Sequence, residues 1–186
     1  GSTAKVMSAA HAPVRGEVVG FRGNRSIILP FDGDVPYVAG SRVLPDGDGG
    51  LATCGSGLLG RVVDAHGDPL DGRGPITSRF SWPLAGRRGN PLQRGRVTRA
   101  LDMGVRSING LLTIGQGQRV AIIAGSGVGK SVLMGQMLAG AECDVMVVGL
   151  VGERSREVSD FLETKLTPSM RARTAVVAVP ADHPPL

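Results

Sequence analysis

The stretch AIIAGSGVGKS, at residues 121–131, decides the fold of this chain. Its last eight residues match the pattern of a phosphate-binding loop, with Ala124 in place of the first glycine. Gly125, Gly127 and Gly129 allow backbone conformations that residues with a Cβ avoid. Their amides can therefore turn inward and form a concave nest around phosphate oxygens.

The sequence on both sides of the loop favours the same interpretation. Apolar segments predict a strand over Arg119–Ala124 and a helix over Val132–Ala139, whose N-terminus would point at the phosphates. Lys130 is expected to reach the β- and γ-phosphates, and the Ser131 hydroxyl to ligate Mg²⁺. The predicted phosphate-binding residues are Gly125, Ser126, Gly127, Val128, Gly129, Lys130, Ser131 and Val132.

The rest of the C-terminal half has an α/β pattern. Apolar runs predict a strand at Asp144–Val151, buried on both faces, and another at Arg173–Pro180. Helices are predicted over Arg156–Lys165, between these strands, and over Val105–Leu112, ahead of the loop. The order strand, loop, helix, strand, helix, strand predicts a parallel sheet with right-handed crossovers.

Glu153 follows the second of these strands, so we expect it at the same edge of the sheet as the phosphate-binding loop. A carboxylate there can orient and polarise the water that attacks the γ-phosphorus, and Arg154 can contact phosphate or hold the turn in place. Spacing alone equally allows an exposed polar turn, with an acid that interacts favourably with the dipole of the next helix.

The N-terminal third has a β pattern. Short runs rich in Val and Ile, separated by glycine turns, predict strands at 16–21, 26–29, 41–44 and 58–64. They indicate a small barrel or sandwich over residues 13–77. Residues 1–12 show no periodicity and are expected to be a disordered tag, since Gly1-Ser2 is typical of a cloning scar.

Residues 78–100 form a predicted linker rich in arginine and proline, in a chain of net charge +5. The favoured interpretation is an extended, solvated connection, and the alternative is a contact with anionic lipid, RNA or an acidic partner. Nucleic acid is not the expected partner, because the interleaved aromatic residues of single-strand platforms are missing. The arginines are Arg79, Arg87, Arg88, Arg94, Arg96 and Arg99.

The sequence also predicts the compartment. Cys54 and Cys143 lie far apart without a CxxC pair, which favours reduced core thiols in a cytosolic protein. No signal peptide is recognisable in the first residues. The longest apolar run, Val145–Val151, is far below the roughly 20 residues that span a bilayer.

These motifs together resemble a known family. AGSGVGKS at 124–131, followed by GERSREV at 152–158, is similar to the catalytic ATPase of flagellar and type III protein secretion, which is related to the rotary ATP synthase β subunit. LLGRVVDAHGDPLDG at 58–72 and EVVGF at 17–21 are similar to its N-terminal barrel, and PADHPPL at 180–186 to the loop after its third strand. The synthase β subunit fits less well, because it carries a double glycine and a threonine in its loop.

The resemblance implies an α/β protein with the first half of a RecA-like parallel-sheet P-loop core over residues 101–186, preceded by a small, partly truncated N-terminal β-barrel. It implies ATP and Mg²⁺ as cofactors, with Lys130 and Ser131 on phosphate and metal, Glu153 as the catalytic carboxylate and Arg154 beside it. The implied assembly is a homohexamer with stator and central-stalk proteins, export chaperones and substrates. The implied location is cytoplasmic, peripheral at the inner face of the cell membrane, where contact with anionic lipid is an open alternative.

The family's Walker B aspartate, arginine finger and adenine-contacting region lie beyond Leu186, so the 186-residue chain is expected to hydrolyse ATP negligibly. Three other functions stay open: a RecA-like hexameric RNA-translocating ATPase, a rotary ATP synthase subunit, and a non-catalytic interaction module. The choice between flagellar, virulence and symbiosis systems is not determined by these residues.

Overall fold

A computed structural model describes residues 2–7, 12–31, 38–47, 50–78, 80–87, 89–125 and 127–181. Its N-terminal part is a four-stranded antiparallel sheet of order β3-β2-β1-β4. The strands are β1 (Thr3–Val6), β2 (Val14–Arg22), β3 (Arg25–Pro30) and β4 (Val43–Pro45). The predicted strands at 16–21, 26–29 and 41–44 are therefore confirmed.

Strand β1 corrects the expectation that residues 1–12 are disordered. Thr3–Val6 pairs with β2 on one side and with β4 on the other. Four residues are too few to show a periodicity, and the segment is ordered by hydrogen bonds from strands that lie later in the chain. Residues 1 and 8–11 lie outside the described part of the chain.

A two-stranded antiparallel ribbon joins β5 (Leu51–Cys54) to β7 (Phe80–Pro83). Strand β7 lies inside the predicted linker 78–100, so this part of the segment is hydrogen-bonded to another strand and is not a free connection. The sequence did not reveal the pairing, because the two strands lie more than twenty residues apart. Beyond β7, the described residues of the segment contain a short 3₁₀ turn at Pro91–Gln93.

A parallel sheet of order β6-β9-β8 forms the C-terminal part. Its strands are β6 (Val62–Val63), β8 (Met146–Val151) and β9 (Thr174–Val179). The predicted strands at 144–151 and 173–180 are confirmed by β8 and β9. Strand β6 was expected in the N-terminal barrel, and that placement is wrong.

Burial explains why β6 joins the parallel sheet. Val62 and Val63 are consecutive and both buried, as a strand covered on both faces requires. Val62 pairs with Val176, and the Gly60 amide donates to the Thr174 carbonyl over 2.8 Å. The division of the chain into domains at residues 12, 77 and 100 stays a prediction.

Three helices flank this sheet in the described residues: α1 (Lys130–Gly140), α2 (Ser155–Thr164) and α3 (Pro168–Ala172). The first two were predicted, and α3 was not. The predicted helix at 105–112 is present as a π-helical turn, Ile108–Leu112. No helix in these parts of the chain combines the length and hydrophobicity needed to cross a membrane.

The main core lies on one face of the parallel sheet. It includes Met146, Val148 and Leu150 of β8, and α1 packs against it through Met134 and Leu138. The remaining buried members are Val62, Val158, Phe161, Leu166, Met170, Val176 and Ala178.

The opposite face of β8 is open. Val147 and Val151 are 74% and 71% exposed, so the expectation that this strand is buried on both faces is wrong for the chain as described. A continuous apolar run predicts that a strand can be covered on both sides, but it does not supply the covering elements.

Candidate phosphate-binding site

The start of helix α1 has the backbone that a phosphate-binding loop needs. Gly127 and Gly129 have φ angles of 78° and 97°, in the left-handed region that favours glycine. Gly129 is the N-terminal cap of α1, and its carbonyl accepts the first helical hydrogen bond from the Leu133 amide over 2.9 Å. The amides of the first turn have no helical acceptor and are available to an anion.

The side chains at this point face solvent. Lys130 and Ser131 are exposed at the first two positions of α1, and Val128 and Val132 flank them. A cation and a hydroxyl beside free helix amides match the requirements of a phosphate chain and a hard divalent cation. Ser126 lies outside the described residues, so its predicted contact is not placed.

The segment before the loop differs from the prediction. Residues 118–125 form no strand, and Ile123 is 94% exposed. A strand needs a neighbouring strand as hydrogen-bond partner, and in the described residues β8 pairs with β9, whose other side carries β6. The expectation of a strand at Arg119–Ala124 is therefore wrong for the chain as described.

Glu153 follows the carboxyl end of the parallel strand β8, as the sequence predicted, and its position beside the phosphate-binding loop stays a prediction. The turn is held by two backbone hydrogen bonds to the end of β9: the Gly152 amide donates to the Val179 carbonyl over 2.8 Å, and the Ala181 amide donates to the Glu153 carbonyl over 2.9 Å. Gly152 has a φ angle of 72°, which suits glycine. Glu153 is half-buried and fixed at the sheet edge.

Arg154 is the N-terminal cap residue of α2 and has an exposed side chain. Its Nη1 lies 3.8 Å from Glu157 Oε1, a loose surface pair that costs little to break. Within the described residues no ion pair joins Lys130 to Glu153 or to Glu157. The structure thus places Glu153 and Arg154 together, and among the described residues no hydrogen bond or ion pair joins their side chains to those of the phosphate-binding loop.

The far end of α1 is held by contacts that the sequence did not reveal. Gly104 packs so closely against Gly140 that a Cβ on Gly140 would lie 2.5 Å from the Gly104 Cα. Asp102 Oδ1 accepts the Gly104 amide over 2.7 Å and the Asn109 side-chain amide over 2.6 Å. These two hydrogen bonds hold the pKa of the Asp102 carboxyl below its usual range, and the bond from the Gly104 amide has the larger effect.

Comparison with known proteins identifies the group to which this arrangement belongs. Residues 104–186 match the nucleotide-binding domain of the ATP synthase alpha/beta family. The chain is 45% identical over 173 residues to the flagellum-specific ATP synthase of Pseudomonas aeruginosa, and 48% identical over 180 residues to that of Salmonella typhimurium. The chain is a relative of the flagellar ATPases. Each alignment covers 93% of it.

A solved structure extends the relationship to type III secretion. The assembled ATPase EscN, from the type III secretion system of enteropathogenic E. coli, superposes with a TM-score of 0.84 at 34% identity and covers 99% of this chain. The family recognised from the loop and the GERSREV motif is therefore confirmed, as is an ATP synthase-like nucleotide-binding fold. This chain spans 38% and 40% of the length of the two flagellar relatives, and 44% of the length of EscN.

Proposed function

We propose that this chain supplies the phosphate-binding part of an ATPase that energises protein export through a flagellar or type III secretion apparatus, by chaperone release and substrate unfolding. The observation that carries the proposal is the pair of left-handed glycines, Gly127 and Gly129, directly before helix α1. The kinship with the flagellum-specific ATP synthases and with EscN supports the choice of export rather than RNA translocation.

Each residue of the site has its own proposed role in binding or hydrolysis. Loop amides of residues 125–131 donate to phosphate oxygens, and the Lys130 ammonium offsets the charge on the β- and γ-phosphates. The Ser131 hydroxyl would hold Mg²⁺, which when bound neutralises charge that develops on the phosphates. The Glu153 carboxylate orients the attacking water, and Arg154 contacts phosphate once its loose pair with Glu157 opens.

We further propose that the fold comprises a RecA-like core and an N-terminal barrel built around the β1–β4 sheet. The proposed assembly is a homohexamer at the cytoplasmic face of the membrane. Its proposed partners are stator proteins, export chaperones and export substrates. EscN is described as an assembled ATPase and also in complex with its central stalk EscO, at a TM-score of 0.83 to this chain. These two assemblies of EscN support an oligomer and a central-stalk partner for the protein to which this chain belongs.

The 186-residue chain alone is proposed to turn over ATP negligibly. The resemblance assigns the Walker B aspartate and the arginine finger to sequence after residue 186, and an arginine finger contributes about 10³–10⁵ in rate. A steady-state phosphate-release assay on the purified chain should give well under about 1 s⁻¹, below typical enzymes. Turnover at or above that value would refute the assignment of those roles outside the chain.

Lys130→Ala tests the phosphate-binding site directly. Loss of a charged contact to phosphate costs about 1.5–3 kcal/mol, so affinity for a fluorescent ATP analogue should fall roughly 10- to 100-fold. Lys5→Ala, which removes the same charge from strand β1 of the N-terminal sheet, should leave affinity unchanged. Equal affinity of Lys130→Ala and the unsubstituted chain would show that the loop does not bind phosphate.

Glu153→Gln separates binding from catalysis. The test uses a form of the protein that hydrolyses ATP. The glutamine amide keeps the shape of the glutamate side chain but cannot polarise water, so the rate of hydrolysis should fall by about 10²–10⁴. Affinity for the ATP analogue should stay within a few-fold of the unsubstituted protein. Unchanged hydrolysis would remove Glu153 from its proposed role without affecting the assignment of the loop.

A further inference from the structure

The turn that carries Glu153 is held through its backbone. Within the described residues, no hydrogen bond or ion pair engages the Glu153 carboxylate, which is half-buried after the end of β8. A group that orients an attacking water must be placed to a fraction of an ångström, because a misplacement of about 1 Å can cost about 100-fold in rate. The main chain on either side of Glu153 therefore has to fix the position of the carboxylate.

Two hydrogen bonds from the end of β9 fix that main chain. Before Glu153, the Gly152 amide donates to the Val179 carbonyl over 2.8 Å. After it, the Glu153 carbonyl accepts the Ala181 amide over 2.9 Å. Val179 is the last residue of β9, and Ala181 lies two residues beyond it. The direction of the Glu153 Cα–Cβ bond is thus set between two peptide groups that are both bonded to one short segment.

Gly152 makes this arrangement possible. Its φ angle of 72° lies in the left-handed region, which glycine enters freely and alanine does not. Among the described residues, a Cβ at this position would meet no heavy atom beyond its chain neighbours within 4 Å. The position therefore requires a backbone angle and not space. A residue that restores a negative φ would rotate the peptide group that leads into Glu153.

We propose that Ala181 and Gly152 are positioning residues for hydrolysis, which rests on the proposed role of Glu153 and extends it to the segment after β9. The Ala181 amide holds the Glu153 carbonyl, and Gly152 supplies the backbone angle at which both hydrogen bonds form. Neither residue has a side chain that can bind phosphate or polarise water. They act through Glu153, whose carboxylate meets the attacking water only when the turn is docked on the end of β9.

Ala181→Pro removes the donor, because proline has no amide hydrogen, and the exposed Ala181 side chain leaves room for the ring. In a form of the protein that hydrolyses ATP, kcat should fall about 100-fold, while KM and the affinity for a fluorescent ATP analogue change less than about threefold. Ala181→Ser keeps the amide and should restore kcat to within about threefold of the unsubstituted protein. An unchanged kcat for Ala181→Pro, or an equal loss for Ala181→Ser, would overturn the proposal.

Substitutions of Gly152 test the backbone angle. Gly152→Ala should lower kcat about tenfold, because alanine resists the left-handed conformation. Gly152→Asn should lower it less than about threefold, since asparagine adopts that conformation more readily than alanine. Equal losses in the two variants would contradict a role for the φ angle of Gly152.

A combined substitution tests whether Ala181 acts through Glu153. In the Glu153→Gln background, Ala181→Pro should cost less than about twofold in kcat, because no carboxylate is left to position. An equal loss in both backgrounds would show that the hydrogen bond supports the fold and not the carboxylate. A loss in Glu153→Gln without one in Ala181→Pro would overturn the positioning alone. Normal hydrolysis by Glu153→Gln would refute the proposed role of Glu153, and the positioning with it.

The hydrogen bond itself can be measured without activity. In the unsubstituted 186-residue chain, exchange of the Ala181 amide with solvent, followed by NMR, should be slowed at least about tenfold relative to an unfolded chain. This measurement does not depend on whether a variant folds. Exchange of the Ala181 amide at the rate of an unfolded chain would overturn the proposal whatever the kinetics of the variants.

Discussion

Replacement of Asp71 by asparagine is expected to destabilise the region that joins the N-terminal sheet to the parallel sheet. The Asp71 carboxylate receives two hydrogen bonds from Arg61, from Nε at 2.7 Å and from Nη2 at 2.9 Å. It also accepts the Val62 amide over 3.2 Å and the Arg73 amide over 3.1 Å. The Asp71 side chain is only 3% exposed. The pair therefore fixes the start of β6.

The magnitude follows from these contacts. Asparagine keeps one acceptor oxygen, but it cannot accept both Arg61 donors and it removes the balancing charge. Breaking a buried pair typically costs 3–5 kcal/mol, and we take the low end, about 3 kcal/mol, because Arg61 keeps its hydrogen bond to the Gly74 carbonyl. For a chain of this size that corresponds to a fall in Tm of about 6–12 °C.

The dependence on pH gives a second measure. The hydrogen bond from Arg61, and then the amides of Arg73 and Val62, hold the pKa of the Asp71 carboxyl well below its usual range, against the opposing effect of burial. A carboxyl with a depressed folded-state pKa contributes stability that is present above its unfolded pKa, about 3.9. That stability is lost as the pH falls below this value towards the folded pKa.

Urea unfolding followed by circular dichroism at pH 7 and at pH 3 measures both effects. The difference between Asp71→Asn and the unsubstituted chain should be about 3 kcal/mol at pH 7 and should shrink at pH 3. Asp68→Asn is the matched control in the same loop, because in the described part of the chain the Asp68 side chain makes just an exposed pair with Arg15 at 3.4 Å. Its cost should be below about 1 kcal/mol. Equal costs for the two variants at pH 7 would refute the reasoning.

Other substitutions test packing. Gly140→Ala should cost about 1–3 kcal/mol, since its Cβ would meet the Gly104 backbone, whereas Gly110→Ala, with open space around it, should be neutral or slightly stabilising. Phe161→Ala should cost about 3–5 kcal/mol because it empties a buried site, whereas Val147→Ala, on the open face of β8, should change stability by less than about 0.5 kcal/mol. Thermal unfolding checks both pairs, and equal shifts within either pair would contradict the described packing.

Features with a local signal were predicted well. Gly127 and Gly129 allow positive φ, and the helix after them follows from an apolar segment of good helix formers. The β2–β3 hairpin follows from two Val- and Ile-rich runs around a glycine turn. Strands β8 and β9 were readable from their apolar runs, so the end of β8, and with it the position of Glu153, was also predictable.

The features that were missed depend on partners far along the chain. Strand β1 is ordered by β2 and β4, and β7 by β5. The ribbon formed by β5 and β7 exposes Phe80 and Trp82. The sequence pattern did not distinguish these two residues from those of a solvated linker. Asp71 resembles any acid in a glycine-rich turn until its position beside Arg61 is known.

The amino-acid sequence alone was therefore enough for the loop, the turn at Glu153 and the family, because backbone conformation and hydrophobic periodicity are properties of neighbouring residues. The sheet to which β6 belongs, and the lack of a strand before the loop in the described residues, emerged only in three dimensions. A strand exists only where another strand accepts and donates its backbone hydrogen bonds, and no local pattern specifies which distant segment that will be.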